Sequence, residues 1–195
     1  EKELPIGAVI AFNALPKKNP KDKCETMNKG LAATHFFSDF LYLSERFNYV
    51  IKSAKFASYS DTPVLLTGED GTELAQFAQC IHNESNREEK GYIEIECNAW
   101  DSYHIEQMLF GNAIREGGSK VQNAVEMAEG GTIFLNHVDV LPKEIQYNIF
   151  LLISGWYTPV NDVRRLRTNV RIIAATNRNL KELVQNNQFR EDLYY

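Results

Sequence analysis

No apolar run in this chain approaches the roughly 18–20 residues needed to cross a bilayer, and no signal peptide is visible. A membrane-spanning protein is therefore excluded, and a cytoplasmic one is expected. Cysteine is scarce. Cys24, Cys80 and Cys97 are odd in number and lack metal-type spacing, which excludes a disulfide framework and a zinc site and fits small, buried, inert thiols. His35, His82 and His104 show no ligand spacing with one another or with the cysteines, so no metal is expected. An excess of basic charge is also missing. The net charge of −5 argues against a large electrostatic footprint for nucleic acid. One basic cluster, Arg164, Arg165 and Arg167, is short, has no interleaved aromatics and reads as a solvated turn or a subunit contact.

A further absence carries more information. Between Gly68 and His82 the chain reads GEDGTELAQFAQCIH, the outline of a phosphate-binding loop, G-x-x-x-x-G-K-[S/T], without its chemistry. Gly68 is in place and Glu69, Asp70, Gly71 and Thr72 follow, but Glu73 stands at the second glycine position and Leu74 at the lysine position. Farther on, IFLNHV (133–138) has the apolar strand of a Walker B motif, ending in Asn136-His137 rather than Asp-Glu. Two halves of one ATP site are altered together, which points to an ATPase-shaped module without hydrolysis.

What is present is one domain's worth of alternating elements. The chain begins at Glu1 without a methionine and is read as a fragment of a longer protein. Residues 1–15, containing GAVIAFNAL, look like the last strand of an upstream sensory domain. Residues 16–35, rich in Lys, Pro, Asn and Asp, read as a linker; 36–195 form the compact unit. There, Ser44 caps a helix running to about Ser58, and strands are expected at 63–67, 92–96, 132–135 and 170–175. Helices are expected at about 72–83, 102–110, 121–129, 142–154 and 180–185. Short β-branched runs separated by helices predict a three-layer α/β fold with a mostly parallel sheet. Ligands in such folds sit at the carboxyl ends of the strands, where Gly68, Asn136-His137 and Asn177 fall.

The phrases PVLLTGEDGT, CNAW, LFG (109–111), EGGTIFL (129–135), VRIIAATNRNL (170–180) and FREDLYY (189–195) together resemble the AAA+ domain of bacterial enhancer-binding proteins, the sigma-54-dependent transcriptional activators. The resemblance covers about 40–195 and implies an AAA+ P-loop NTPase-like fold. The lid subdomain and the C-terminal helix-turn-helix expected of the family lie outside this chain, so DNA would be met through a part not present here.

The resemblance also sharpens the losses. A non-glycine at 73 is not expected to adopt the backbone that points N–H groups at an anion, and Leu74 brings no charge to a triphosphate. Asn136 is a poor substitute for a magnesium carboxylate, and His137 would be a base without a held metal or phosphate. Family members carry Gly-Ala-Phe-Thr-Gly-Ala between Gly111 and Gly130, which contacts the sigma-54 polymerase; here NAIREGGSKVQNAVEMAE (112–129) lacks it. Asn177 stands where the resemblance puts sensor I. Arg190 resembles the first of two arginines reaching a neighbour's ATP site, with surface pairing to Glu191 or Asp192 as the alternative.

The expectation is thus a catalytically inactive regulatory module with no cofactor, or at most weakly held ATP and Mg²⁺. Its partners would be a second copy, an AAA+ paralogue or RNA polymerase. The alternatives are an interaction subunit that assembles with an active paralogue and modulates it in trans through Arg190, a sensor of a different nucleotide, and a slow ATPase.

Overall fold

The computed structural model describes residues 31–40, 44–69, 71–111 and 121–195. The expected upstream strand, residues 16–30 of the linker, Cys24, Asp70 and most of the segment after Gly111 lie outside the described residues.

Helix α1 (Glu45–Ser58) starts where Ser44 Oγ accepts from Phe47 N at 3.2 Å, satisfying one of the amides that a helix start leaves open. It leads into β1 (Val64–Thr67), α2 (Leu74–Asn83) and β2 (Tyr92–Glu96). Next come α3 (Ser102–Phe110), capped by Asp101, and α4 (Ala124–Met127), capped by Asn123. They are followed by β3 (Thr132–Asn136) and α5 (Lys143–Ile153), then by two short strands, β4 (Trp156–Tyr157) and β5 (Leu166–Arg167). The described chain closes with β6 (Arg171–Thr176), α6 (Leu180–Gln185) and α7 (Glu191–Tyr194).

The four main strands form one parallel sheet in the order β1-β6-β3-β2. Parallel strands need crossover connections, and the intervening helices supply a layer on each face. Ile93, Ile95, Ile133, Leu135 and Ile172 face Ile105, Leu109, Ile145, Ile149 and Leu183 from α3, α5 and α6. Tyr92, Phe134, Ile173 and Ala175 face Ile51, Ala54, Phe77 and Ile81 from α1 and α2. An aromatic group closes the second layer, with Phe77 edge-on to Phe37 and Phe40 at 5.4 and 5.8 Å between ring centres.

Two local expectations are corrected. The second helix begins at Leu74, not Thr72, because Thr72 Oγ1 donates to Glu69 O (2.7 Å) and holds a turn there. The helix expected over 121–129 is one turn, 124–127, since Gly130 takes φ +74 and ends it. Arg164 and Arg165 stay exposed in the turn, in keeping with the solvated reading, while Arg167 pairs opposite Trp156 in an antiparallel β4–β5 ladder. On β2, Tyr92 shares a face with Glu94 and Glu96, in the aromatic layer.

Two buried arginines fasten the amino end of the sheet. Arg87 donates to Gly131 O (3.0 Å), Asn169 O (2.6 Å), Asn169 Oδ1 (2.8 Å) and Asp61 Oδ1 (2.8 Å). Arg171, only 2% exposed, donates to Ala57 O (2.7 Å) and Ser58 O (3.4 Å) at the end of α1 and to Thr62 O (3.3 Å) in the turn before β1.

Candidate functional site

The carboxyl ends of β1, β3 and β6 bring the sequence candidates to one side of the molecule. After β1, Gly68 N donates to Thr176 O at 3.3 Å, tying the loop to the end of β6. A Cβ at Gly68 would lie 2.5 Å from Thr72 Oγ1, so a larger residue there would displace the Thr72 hydroxyl from its bond to Glu69 O. Gly71 has φ +85. Thr67, Gly68 and Glu69 then line a cleft of ≈ 190 Å³ with Thr176, Asn177, Arg178 and Asn179.

Glu73 overturns the expectation about its backbone. It adopts the left-handed conformation, φ 52 and ψ 41, so the loop retains the bend that a glycine would give, at a cost of about 1 kcal/mol. Its side chain is what changes the site. Glu73 stands at the N-cap of α2 and makes no capping hydrogen bond, and its Oε2 is buried without a partner among the described residues. A carboxylate here lies in the positive end of the helix field that would otherwise attract an anionic ligand. Leu74, where the motif has lysine, folds back over the loop. Its Cδ2 would lie 3.1 Å from a Cβ on Gly68, and it packs against the aromatic layer.

At the tip of β3, Asn136 and Glu96 are register partners. The Asn136 amide donates to both Glu96 oxygens, at 2.8 and 3.1 Å, while its Oδ1 accepts from His137 N at 3.1 Å. His137 also has a left-handed backbone, φ 54, which turns the chain out of the strand. Its ring makes no hydrogen bond among the described residues. Just beyond, the buried Asp139 accepts from Thr176 Oγ1 at 2.5 Å and links the ends of β3 and β6.

Glu96, Asp139 and Arg178 were not among the sequence candidates. The signal for Glu96 was its place as the last residue of β2, but its pairing with Asn136 depends on a register that one strand's sequence does not encode. Arg178 lines the first cleft and also a larger one of ≈ 510 Å³ formed with Asp139, Pro142, Lys143 and Asn187.

Asn177 is exposed on the first cleft. Arg190 lies apart, at the start of α7. Its guanidinium donates to Asp192 at 2.6 and 2.9 Å and lies 5.1 Å from the centre of the Tyr147 ring, the pairing that stood as the alternative to a role in a neighbour's site. Among the described residues no group of three or more His, Cys, Asp or Glu could hold a metal ion. Burial pushes the Cys80 and Cys97 thiols up, Cys97 to about 12, leaving both free and protonated. His35, His82 and His104 are held by Gln79, Thr132 and Asp101, away from one another.

A parallel three-layer sheet with a glycine turn feeding a helix at its carboxyl end defines the P-loop NTPase class of fold. Within that class, the sigma-54 interaction domain family matches residues 40–195, and the chain belongs to it. It is 37% identical over 170 residues to the signal-transduction and transcriptional-control protein of Clostridium beijerinckii, covering 84% of this chain and 27% of that protein. It is 37% identical over 150 residues to the transcriptional regulatory protein GlrR of Escherichia coli, covering 75% and 34%. The chain thus spans about a third or less of the length of these relatives. NtrX from Brucella abortus, solved in complex with ATP, superposes with a TM-score of 0.71 at 26% identity, covering 79% of this chain and 34% of that one. The P-loop NTPase domain of an E. coli sigma-54 activator shares the fold, with a TM-score of 0.56 at 22% identity, 80% and 91% covered. The fold is that of the AAA+ P-loop domains of sigma-54-dependent regulators.

Proposed function

We propose that this chain is a regulatory AAA+ module of a bacterial transcriptional regulator that neither hydrolyses ATP nor remodels the sigma-54 polymerase, and that acts through assembly or conformational change. The observation that carries the reading is Glu73 with Leu74. One places a carboxylate at the helix end where phosphate would bind, and the other replaces the lysine with an alkyl chain folded onto Gly68. Losing one charge-assisted contact costs roughly 1.5–3 kcal/mol, and Glu73 adds repulsion. At the Walker B position, Asn136 is a neutral side chain already engaged by Glu96. The residues present do not fit Mg²⁺-ATP.

Its partners, on this reading, are a second copy, a paralogue or RNA polymerase, with DNA met through a domain outside this chain. Donation of Arg190 in trans requires breaking its bidentate pair with Asp192. Weak nucleotide binding through the remaining loop amides is the second reading, favoured by the retained left-handed bend at Glu73 and by the ATP complex of the Brucella relative.

Calorimetric titration with Mg²⁺-ATP, with ADP as control and a parallel phosphate-release assay, decides between them. The proposal expects no heat at millimolar ATP and no turnover. Turnover that disappears on changing Asn136 or His137 would sink it, and micromolar binding without turnover would move the reading to nucleotide-gated assembly.

A further inference from the structure

The loop between β3 and α5 and the chain after α6 line the larger of the two clefts, whose ≈ 510 Å³ falls in the range of small-molecule sites. Two of its lining residues are cations. Arg178 N donates to Thr176 Oγ1 (3.0 Å), which fixes the backbone there. The exposed Arg178 guanidinium makes no hydrogen bond or ion pair among the described residues. Lys143 is half-buried and donates to Asn187 Oδ1, which leaves further ammonium hydrogens for a ligand. Asn187 is itself set by a left-handed backbone, φ 57, and its N–H donates to Val184 O at 2.9 Å.

Charge narrows the occupant. Asp139 is the one acidic residue in the lining, so two cations stand against one carboxylate, a formal balance of +1. A cationic ligand would meet two like charges. A nucleoside triphosphate carries several negative charges, and the loop after β1, whose amides would face its phosphates, takes no part in this cleft. A single negative charge matches the balance. The other wall is apolar, with Val140 47% exposed beside Pro142 and the buried Leu183. Pro142 is also the N-cap of α5 and offers its first turn no side-chain acceptor, so the positive end of this helix adds to the field of the two side chains.

We propose that this cleft binds a small organic monoanion, a carboxylate carried on an apolar body. Arg178 and Lys143 hold the carboxylate, the guanidinium by paired donors, and the apolar body covers Val140, Pro142 and Leu183. Lys143 and Asn187 are joined beforehand, which lowers the ordering cost of binding. Arg178 also lines the smaller cleft, so a ligand that draws its guanidinium into the larger one withdraws it from the other. The inference does not rest on whether nucleotide binds, because Glu73 and Leu74, which carry that reading, lie outside this cleft.

The probe is benzoate, with benzamide as its neutral counterpart, benzylamine as its cationic one and inorganic phosphate as an anion without an apolar body. Each is titrated into the isotope-labelled chain and followed through the backbone amide resonances. The expected result is saturable benzoate binding at about 10 mM or tighter, with shifts concentrated at Lys143, Arg178, Leu183 and Asn187. The other three probes should each bind about tenfold or more weakly. Lys143→Gln, which keeps a donor for Asn187, and Arg178→Ala should each weaken benzoate about tenfold. Arg178→Glu makes the formal balance negative and should transfer the preference to benzylamine. Arg178 is exposed, so unchanged melting temperatures in its variants separate loss of the site from loss of fold. Benzamide or phosphate binding as tightly as benzoate, shifts confined to Gly68 and Glu69, indifference to both weakening substitutions, or no saturation by benzoate overturns the proposal.

Discussion

The side-chain amide of Asn136 donates to both carboxylate oxygens of Glu96, its register partner on the neighbouring strand. The carboxylate missing from the tip of β3 is thus present one strand away, bound to the amide that replaced it. Asn136→Asp alone should set two carboxylates side by side and destabilise the chain by about 1 kcal/mol. Glu96→Asn together with Asn136→Asp reverses the direction of the bond and should recover most of that loss. Urea unfolding of the two single variants and the double variant gives the coupling energy; simple additivity would show that the pair does not interact.

Glu73 is held in a left-handed conformation by the turn before α2. Glu73→Gly removes that strain, and it also relieves a buried carboxylate oxygen without a partner. The gain should be about 1 kcal/mol despite the added freedom of glycine in the unfolded chain. Thermal unfolding checks this, and a lower melting temperature for the glycine variant would contradict it.

Arg171 serves backbone carbonyls at the end of α1 and in the turn before β1 from a fully buried position. Truncation to alanine removes the guanidinium donors from three carbonyls, of which Ala57 O keeps a backbone amide, and opens a void, and should cost about 3 kcal/mol or more. Arg171→Lys, with one donor group in place of a planar fork, should fall between the two. Hydrogen exchange of the last turn of α1 should quicken in step with the loss; exchange unchanged in both variants would rule out the capping role.

The Arg87 guanidinium beside Asp61 holds that carboxyl below its ordinary value. A lowered folded-state value means stability that is fully present above the ordinary carboxylate range and lost as pH falls through and below it. Asp61 is largely exposed, so the contribution is about 0.5 kcal/mol. Asp61→Asn should therefore be less stable than the parent at pH 7 and indistinguishable from it near pH 2. A gap that persists undiminished in acid would assign the effect to packing rather than charge.

Most of the sheet was legible because apolar runs such as IFL (133–135) and RIIAAT (171–176) are buried on both sides and need no partner to be recognised. The cap at Ser44 marked a helix start for a local reason, a side-chain oxygen reaching its own first turn. The hairpin at 156–167 was not legible. Its strands are two residues each and are stabilised by an arginine stacked on a tryptophan eleven positions away, not by an alternating pattern. Of the candidate site, Gly68, Asn136-His137 and Asn177 fall at the carboxyl ends of strands, as the alternation of strands and helices predicted. The left-handed Glu73 was missed because the penalty for a side chain there is small enough for the surrounding fold to impose.

The sheet's two outer strands differ in one respect. On β2, Glu94 and Glu96 recur at every second position, so a like strand laid against that margin would bring carboxylates into register. On β1 the corresponding margin carries Leu65, 45% exposed, and no charged residue between Val64 and Thr67. Charge is how natural sheets discourage intermolecular growth. One flank of this sheet is therefore protected against aggregation by its own sequence, while the other depends on whatever covers it.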